Sequence, residues 1–131
     1  MITLEVSSGR QVEMIDITAQ VRQAVAESGI RSGLLLVFTP HTTAAVTINE
    51  NADPDVPHDL VMELNRIVPF EDGYRHVEGN SAAHLKSSLI GAGETIPVED
   101  GRPVLGTWQG IWFCEFDGPR RRKVHLQIIG R

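Results

Sequence analysis

The sequence predicts an α+β domain, largely antiparallel, with about seven strands and three short helices. Three observations predict it. Runs with period-two alternation stand at both ends of the chain, three stretches carry apolar residues at helical spacing, and strands are adjacent in sequence with turn signals between them. The sheet must then bury one face on helices or on a second sheet. At 131 residues the chain is the size of one domain, 1–131, and can bury a moderate core without staples.

Ile2 to Ser8 and Gln11 to Ile17 alternate apolar and polar side chains around Ser8 and Gly9, which predicts a hairpin. Thr18 is then expected as an N-cap, with Val21, Ala24 and Val25 at helical spacing and Gly29 as the stop. Leu34 to Phe38 is apolar without a break and reads as a buried strand, and Ala44 to Asn49 as the next strand after the Pro40 break. Val56, Leu60, Leu64 and Ile67 predict a second helix, closed by Pro69. After the polar stretch Asp72 to Asn80, Ser81 is expected to cap a third helix ended by Gly91, with Leu85 and Leu89 as its buried stripe. Three strands, Glu94 to Val98, Thr107 to Phe116 and Lys123 to Ile129, close the chain, the last two joined through Asp117, Gly118 and Pro119.

Composition excludes several classes. With 41% apolar and 22% charged residues the chain is neither disordered nor a membrane protein, and no apolar run approaches the length of a span. A net charge of −5 argues against a general nucleic-acid binder. The start, Met1 to Glu5, lacks the basic and long apolar stretches of a secretory signal, so a cytoplasmic location is expected. The lone Cys114 forms no intramolecular disulfide, in keeping with a reducing compartment.

The chemistry concentrates in three polar segments, Thr39 to Asp53, Tyr74 to Ser88 and Gly106 to Arg122. In the first, His41 occupies a turn and Asn49, Glu50 and Asn51 crowd the end of a strand; Asp53 reads equally as a cap on the following helix. In the second, His76 and His84 are eight apart, not the helical zinc pair, and each imidazole reads as a metal ligand, a proton shuttle or a satisfied structural ring. His58 and His125 are weaker candidates. Lys86 lies off the apolar stripe and reads either as a point charge for a phosphate or as a solvated lysine. In the third, alternation separates Thr107, Gln109, Ile111, Phe113 and Glu115 from a mostly aromatic face that carries Cys114, a small buried hydrophobe more often than a nucleophile. Glu115 reads as a general base, a metal ligand or a salt-bridge partner of the nearby arginines. The run Arg120-Arg121-Arg122-Lys123 reads as an anion site or as edge-strand charge, and alternation sends Arg120 and Arg122 to one face and Arg121 and Lys123 to the other.

The motifs His41-Thr42-Thr43-Ala44, Thr47 to Asp53, Tyr74-Arg75-His76, Gly79 to Lys86 and Gly106-Thr107-Trp108-Gln109, with Cys114-Glu115 and Gly118-Pro119-Arg120, resemble the YjbQ-like family across nearly the whole chain. Some members of that family are assigned as secondary thiamine-phosphate synthases, and many are uncharacterised. The resemblance implies a β-sandwich with flanking helices, a homotrimer, and polar segments that meet at or near subunit boundaries. It implies a transfer between a pyrimidine pyrophosphate and a thiazole phosphate that releases pyrophosphate. His41, Glu50, His84 and Gln109 would be the catalytic residues. Asn49, Asn51, Lys86, Thr107 and Arg120 would bind the phosphorylated substrate, and His41, His76 and His84 would hold a divalent metal, zinc or magnesium. The absence of a glycine-rich phosphate loop and of a paired-aspartate magnesium motif leaves open a second expectation, a noncatalytic trimer that binds an anion or a metal.

Overall fold

The computed structural model describes residues 1–131 as β1 (Ile2–Ser7), β2 (Glu13–Asp16), α1 (Thr18–Ser28), β3 (Gly33–Phe38), β4 (Ala44–Glu50), α2 (Asp55–Ile67), α3 (Ser81–Ile90), β5 (Gly93–Glu99), β6 (Arg102–Pro103), β7 (Gln109–Glu115) and β8 (Arg121–Gly130). Two antiparallel sheets face each other, one ordered β1-β8-β3-β5-β6 and the other β2-β7-β4. This is the antiparallel α+β class that the periodicity predicts, in the sandwich form that the resemblance implies. No helix is long and apolar enough to cross a membrane.

The expected β1–β2 hairpin does not form. β1 pairs with β8, from Ile2 opposite Leu126 to Ser7 opposite Arg121, while β2 pairs with β7. The same step between sheets recurs from β3 to β4 and from β7 to β8, the last through a cis Gly118–Pro119 bond. Turn residues mark where the chain reverses. They do not say whether the next strand lies beside the first or across the roughly 10 Å gap of a sandwich, and here crossing lets both inward faces line one core. A hairpin within one sheet joins β5 and β6 through Asp100 and Gly101, both at positive φ (52° and 74°), the pair of left-handed residues that such a turn requires.

The main core lies between the sheets. Leu35, Val37, Ile96, Val124 and Leu126 from the larger sheet meet Val46, Ile111 and Phe113 from the smaller, and Val21 and Val25 of α1 complete it. β3 is not buried on both faces, as its unbroken apolar run suggested. Leu34, Leu36 and Phe38 are 54%, 40% and 39% exposed, because nothing in the chain covers the outer face of the larger sheet. Ile129, opposite Leu34, adds to this uncovered apolar strip.

The far face of the smaller sheet carries a second core of Ala45, Cys114 and Phe116 against Ala83 of α3, with Leu64 of α2 at its margin. α3 is turned from the expected orientation. Leu85 and Leu89 point outward, and Ala82, Ala83, Lys86 and Ser87 point in. Small side chains let the helix approach β4 closely, and the Ser87 hydroxyl donates to the carbonyl of Ala44 at 2.6 Å. Lys86 is fully buried, neither solvated nor at an anion site. Its ammonium donates to Asn65 Oδ1 on α2 and sits 4.3 Å from the centre of the Phe70 ring. Burial pushes its pKa below the usual 10.5.

The helix starts also differ from the expected caps. Thr18 is the first residue of α1, and its hydroxyl donates to Asp16 while accepting the N–H of Ile111, a tertiary tie rather than a cap. Ser81 likewise opens α3 one residue after Asn80, whose carbonyl accepts the N–H groups of Ala83 and His84. Asp53 does serve the start of α2, accepting the N–H of Asp55 at 2.9 Å, and Gly29 ends α1 in the left-handed conformation.

Candidate functional site

β3 leaves the larger sheet at Phe38, which lies opposite His125 of β8. Continued in register, residue 40 would face residue 123, but Pro40 turns the chain away. The His41 ring takes the vacant place, its Nε2 accepting the N–H of Lys123 at 2.9 Å. That bond requires an unprotonated Nε2, so the neutral ring carries its proton on Nδ1. Burial, then the charge of Arg122, lowers the His41 pKa below 6.5, despite an opposing pull from Glu115. The Nδ1–H has no partner in the protein.

Beside His41 lies a buried ion pair. Glu115 is fully buried and Arg122 is 3% exposed. Arg122 Nε donates to both Glu115 oxygens, at 2.9 and 3.1 Å, and its Nη2 donates to Glu115 and to the hydroxyl and carbonyl of Thr43, at 2.8 and 3.2 Å. The Glu115 carboxylate also accepts the Ser8 hydroxyl at 2.6 Å and the N–H of Asp117 at 3.1 Å. Burial alone pushes the Glu115 pKa up, but the bonds from Arg122, Ser8 and Asp117 and the charge of Arg122 together hold it below 4.5. Of the three roles left open for Glu115, general base, metal ligand and salt-bridge partner, the geometry supports the last. One guanidinium nitrogen remains: Nη1 of Arg122 makes no bond to the protein and is not sealed from solvent.

Arg122 lies in the wall of a cleft of about 370 Å³ in which every lining residue except Pro40 is polar or charged. The three polar segments converge there. His41, Thr42 and Thr43 come from the first, Glu78, Asn80 and His84 from the second, Asp117, Arg120 and Arg122 from the third. Arg120 is half-exposed, donating from Nε to the Asp117 carbonyl at 2.9 Å and from Nη2 to Asp117 Oδ2 at 3.2 Å. Asp117 Oδ2 also accepts from Asn80 Nδ2 at 3.0 Å. His84 belongs as well to a second hollow, with Tyr74, Arg75 and His76, where the His76 and His84 rings meet edge to face, 5.4 Å between centres. A cavity of about 410 Å³ between β2 and α2 combines Val12, Met14, Val61 and Met62 with the charged Arg10 and Glu13, and carries His58 but none of the expected site residues.

The structure thus brings together His41, His84 and Arg120, with His76 adjacent, and separates them from the rest. Glu50 lies opposite Gln109 at the far end of β4 and β7, six residue steps from Ala44, or about 20 Å. Asn49, Asn51 and Thr107 are at that end too, and these side chains bond mainly within their own loops. Gln109 accepts the N–H of Gly106 at 2.7 Å, Glu50 that of Asp53 at 3.2 Å, and Asn49 that of Glu50 at 2.7 Å. Asn51 reaches Asp16 at 3.2 Å, crossing so close to Gly110 that a Cβ there would fall 2.4 Å from its amide nitrogen. Lys86 is elsewhere, beneath α3. His41, His76 and His84 do not form a ligand set within the chain. No three His, Cys, Asp or Glu side chains gather as a metal needs, and His41 Nε2 is already engaged. Cys114 is buried in the second core and its thiol is pushed up to about 12, which leaves it without thiolate character.

Asp117, Asn80 and Thr43 have no assigned role in the sequence reading, and Arg122 enters it only as one of the four cations of the Arg120–Lys123 run. Alternation had placed Arg120 and Arg122 on one face, so part of the signal was present. The partner that makes Arg122 a fixed donor, Glu115, is seven residues away across the sheet-switching corner.

Residues 2–131 match the family model described as UPF0047 protein YjbQ-like. The chain is 52% identical to the UPF0047 protein YugU of Bacillus subtilis over 98% of each sequence, and 49% identical to the UPF0047 protein MJ1081 of Methanocaldococcus jannaschii over 96% of this chain and 91% of that protein. Among solved structures, an uncharacterised conserved protein of the YjbQ/UPF0047 family from Clostridium acetobutylicum superposes with a TM-score of 0.96 at 52% identity, covering 98% of this chain and all of that one. A protein of unknown function from Sulfolobus solfataricus superposes with a TM-score of 0.95 at 37% identity, over 99% of this chain and 96% of that one.

Proposed function

The chain belongs to the YjbQ-like UPF0047 family, and from that premise and the geometry of its cleft we propose that it binds a phosphorylated small molecule between Arg122, Arg120 and His41. One observation carries the reading. Arg122 is held almost wholly out of water by Glu115 and Thr43, yet leaves one edge of its guanidinium open at a cleft without apolar lining. A guanidinium fixed in this way loses little freedom on meeting a phosphate oxygen. Arg120 Nη1 and the His41 Nδ1–H add two further donors.

The narrower form is a transfer of the thiamine-phosphate type: the thiazole ring nitrogen bonds to the pyrimidine's methylene carbon as the C–O bond to pyrophosphate breaks, the two arginines stabilise the charge that leaves with pyrophosphate, and His84 lies in the same wall as a hydrogen-bonding partner. The second reading is binding without turnover. It is favoured by the engagement of His41 Nε2, which leaves that ring a donor rather than a base. A divalent metal would find no three-residue ligand set within one chain, so no step is assigned to one.

Calorimetric titration with inorganic phosphate tests the site. Wild type is expected to bind stoichiometrically, and Arg120→Ala to bind about three- to tenfold more weakly, the range of a part-exposed charge-assisted bond. No heat of binding, or an unchanged Arg120→Ala, removes the proposal. Incubation with the pyrimidine pyrophosphate and the thiazole phosphate then divides the two readings, since absence of thiamine phosphate from a protein that binds phosphate leaves the noncatalytic one.

We also propose a homotrimer. The uncovered strip of Leu34, Leu36, Phe38 and Ile129 supports association, and contact between copies is the arrangement in which the Glu50–Gln109 end and the arginine cleft, about 20 Å apart in one chain, can share a ligand. Light scattering is expected to give three times the 14.4 kDa of the chain; a monomer mass ends the idea.

A further inference from the structure

We infer that the ligand of the arginine cleft carries an amino group beside its anionic group, and that Asp117 is the residue that selects for it. The inference rests on the reading of the cleft as a phosphate site and names the class of molecule it takes.

The cleft is not a basic pocket. Arg122 is matched by Glu115 inside the protein, Arg120 lies against Asp117, and Glu78 adds a carboxylate to the wall. A ligand with no cationic end would leave its anionic group as the only partner for a wall that also holds Asp117 and Glu78. A group with one anionic and one cationic end meets no such conflict.

Asp117 has the geometry for the cationic end. Its Oδ2 accepts from Asn80 and Arg120, its N–H donates to Glu115, and its carbonyl accepts from Arg120, so the residue is fixed from four sides. Its Oδ1 accepts from nothing and is not sealed off. The cleft therefore presents an open acceptor on Asp117 together with an open donor edge on Arg122, each held in place before any ligand arrives. Nothing within the protein uses either.

The test compares three probes on the intact protein by calorimetry at low salt: inorganic phosphate, ethyl phosphate and O-phosphoethanolamine, the last two differing by the amino group. O-phosphoethanolamine is expected to bind roughly tenfold more tightly than ethyl phosphate, and the ratio to fall to about one in Asp117→Asn. Equal affinities in wild type overturn the inference and leave the phosphate site standing. No binding of any probe overturns the phosphate reading and the inference with it. A ratio that survives in Asp117→Asn but collapses in Glu78→Gln overturns the assignment to Asp117.

Discussion

Replacing Glu115 with alanine is expected to lower the unfolding free energy by about 3–5 kcal/mol, the cost of leaving a buried charge without its partner. Arg122 is 3% exposed and would keep only its two bonds to Thr43, and Ser8 and the N–H of Asp117 would lose an acceptor in the same stroke. Removal of both members together, as Glu115→Leu with Arg122→Met, is expected to restore most of that stability while abolishing phosphate binding, because the pair serves the cleft more than the fold. Urea denaturation of the three proteins checks this. A Glu115→Ala loss below about 1 kcal/mol would mean that the pair is hydrated and not buried. The pH dependence follows from the sign of the shift. The Glu115 carboxyl titrates lower in the folded protein than the usual 4.5, so its contribution is complete above 4.5 and is lost as pH falls through the folded value. Glu115→Gln should therefore flatten the acid limb of the stability curve below 4.5.

Phe113→Ala is expected to cost about 3–5 kcal/mol by thermal or urea unfolding. Phe113 is fully buried at the middle of β7, between Ile15 on β2 and Val46 on β4, with its ring in the core shared by both sheets. Because α1 and the larger sheet close over the same space, the walls cannot collapse to fill the void. Phosphate affinity measured where the variant is still folded should stay near the wild-type value, since no cleft residue touches that core. A loss under about 1.5 kcal/mol would show that the two sheets are less tightly joined than their facing side chains imply.

The strands and helices were legible because their signals are local. Val21, Ala24 and Val25 mark α1 by spacing, and the Lys123–Ile129 alternation marks β8. What the sequence could not state was pairing. Ser8-Gly9 and Asp117-Gly118-Pro119 read as hairpin turns but are corners between sheets, and no local residue distinguishes the two. β6 went unread although Asp100-Gly101 announced it. The apolar runs misled where burial depends on what lies opposite: Leu34, Leu36, Leu85 and Leu89 face outward, while Lys86, charged and therefore read as a surface residue, is sealed between two helices. The candidate site was legible as three segments and not as one constellation. The rise of β4 separates His41 from Glu50, which stand nine residues apart in the chain, whereas His84 and Arg120, distant in sequence, share a wall with His41.

The position of β8 has a consequence for biosynthesis. It is the last of the eight strands to be made, yet it lies in the interior of the larger sheet, hydrogen-bonded to β1 on one side and β3 on the other. A ribosome-bound chain can join β3 to β5 early, but β1 waits without a neighbour until residues 121–130 emerge. The sheet then zips from ends more than a hundred residues apart, a topology of the slow-folding kind in which apolar strands stay open until residues 121–130 are inserted.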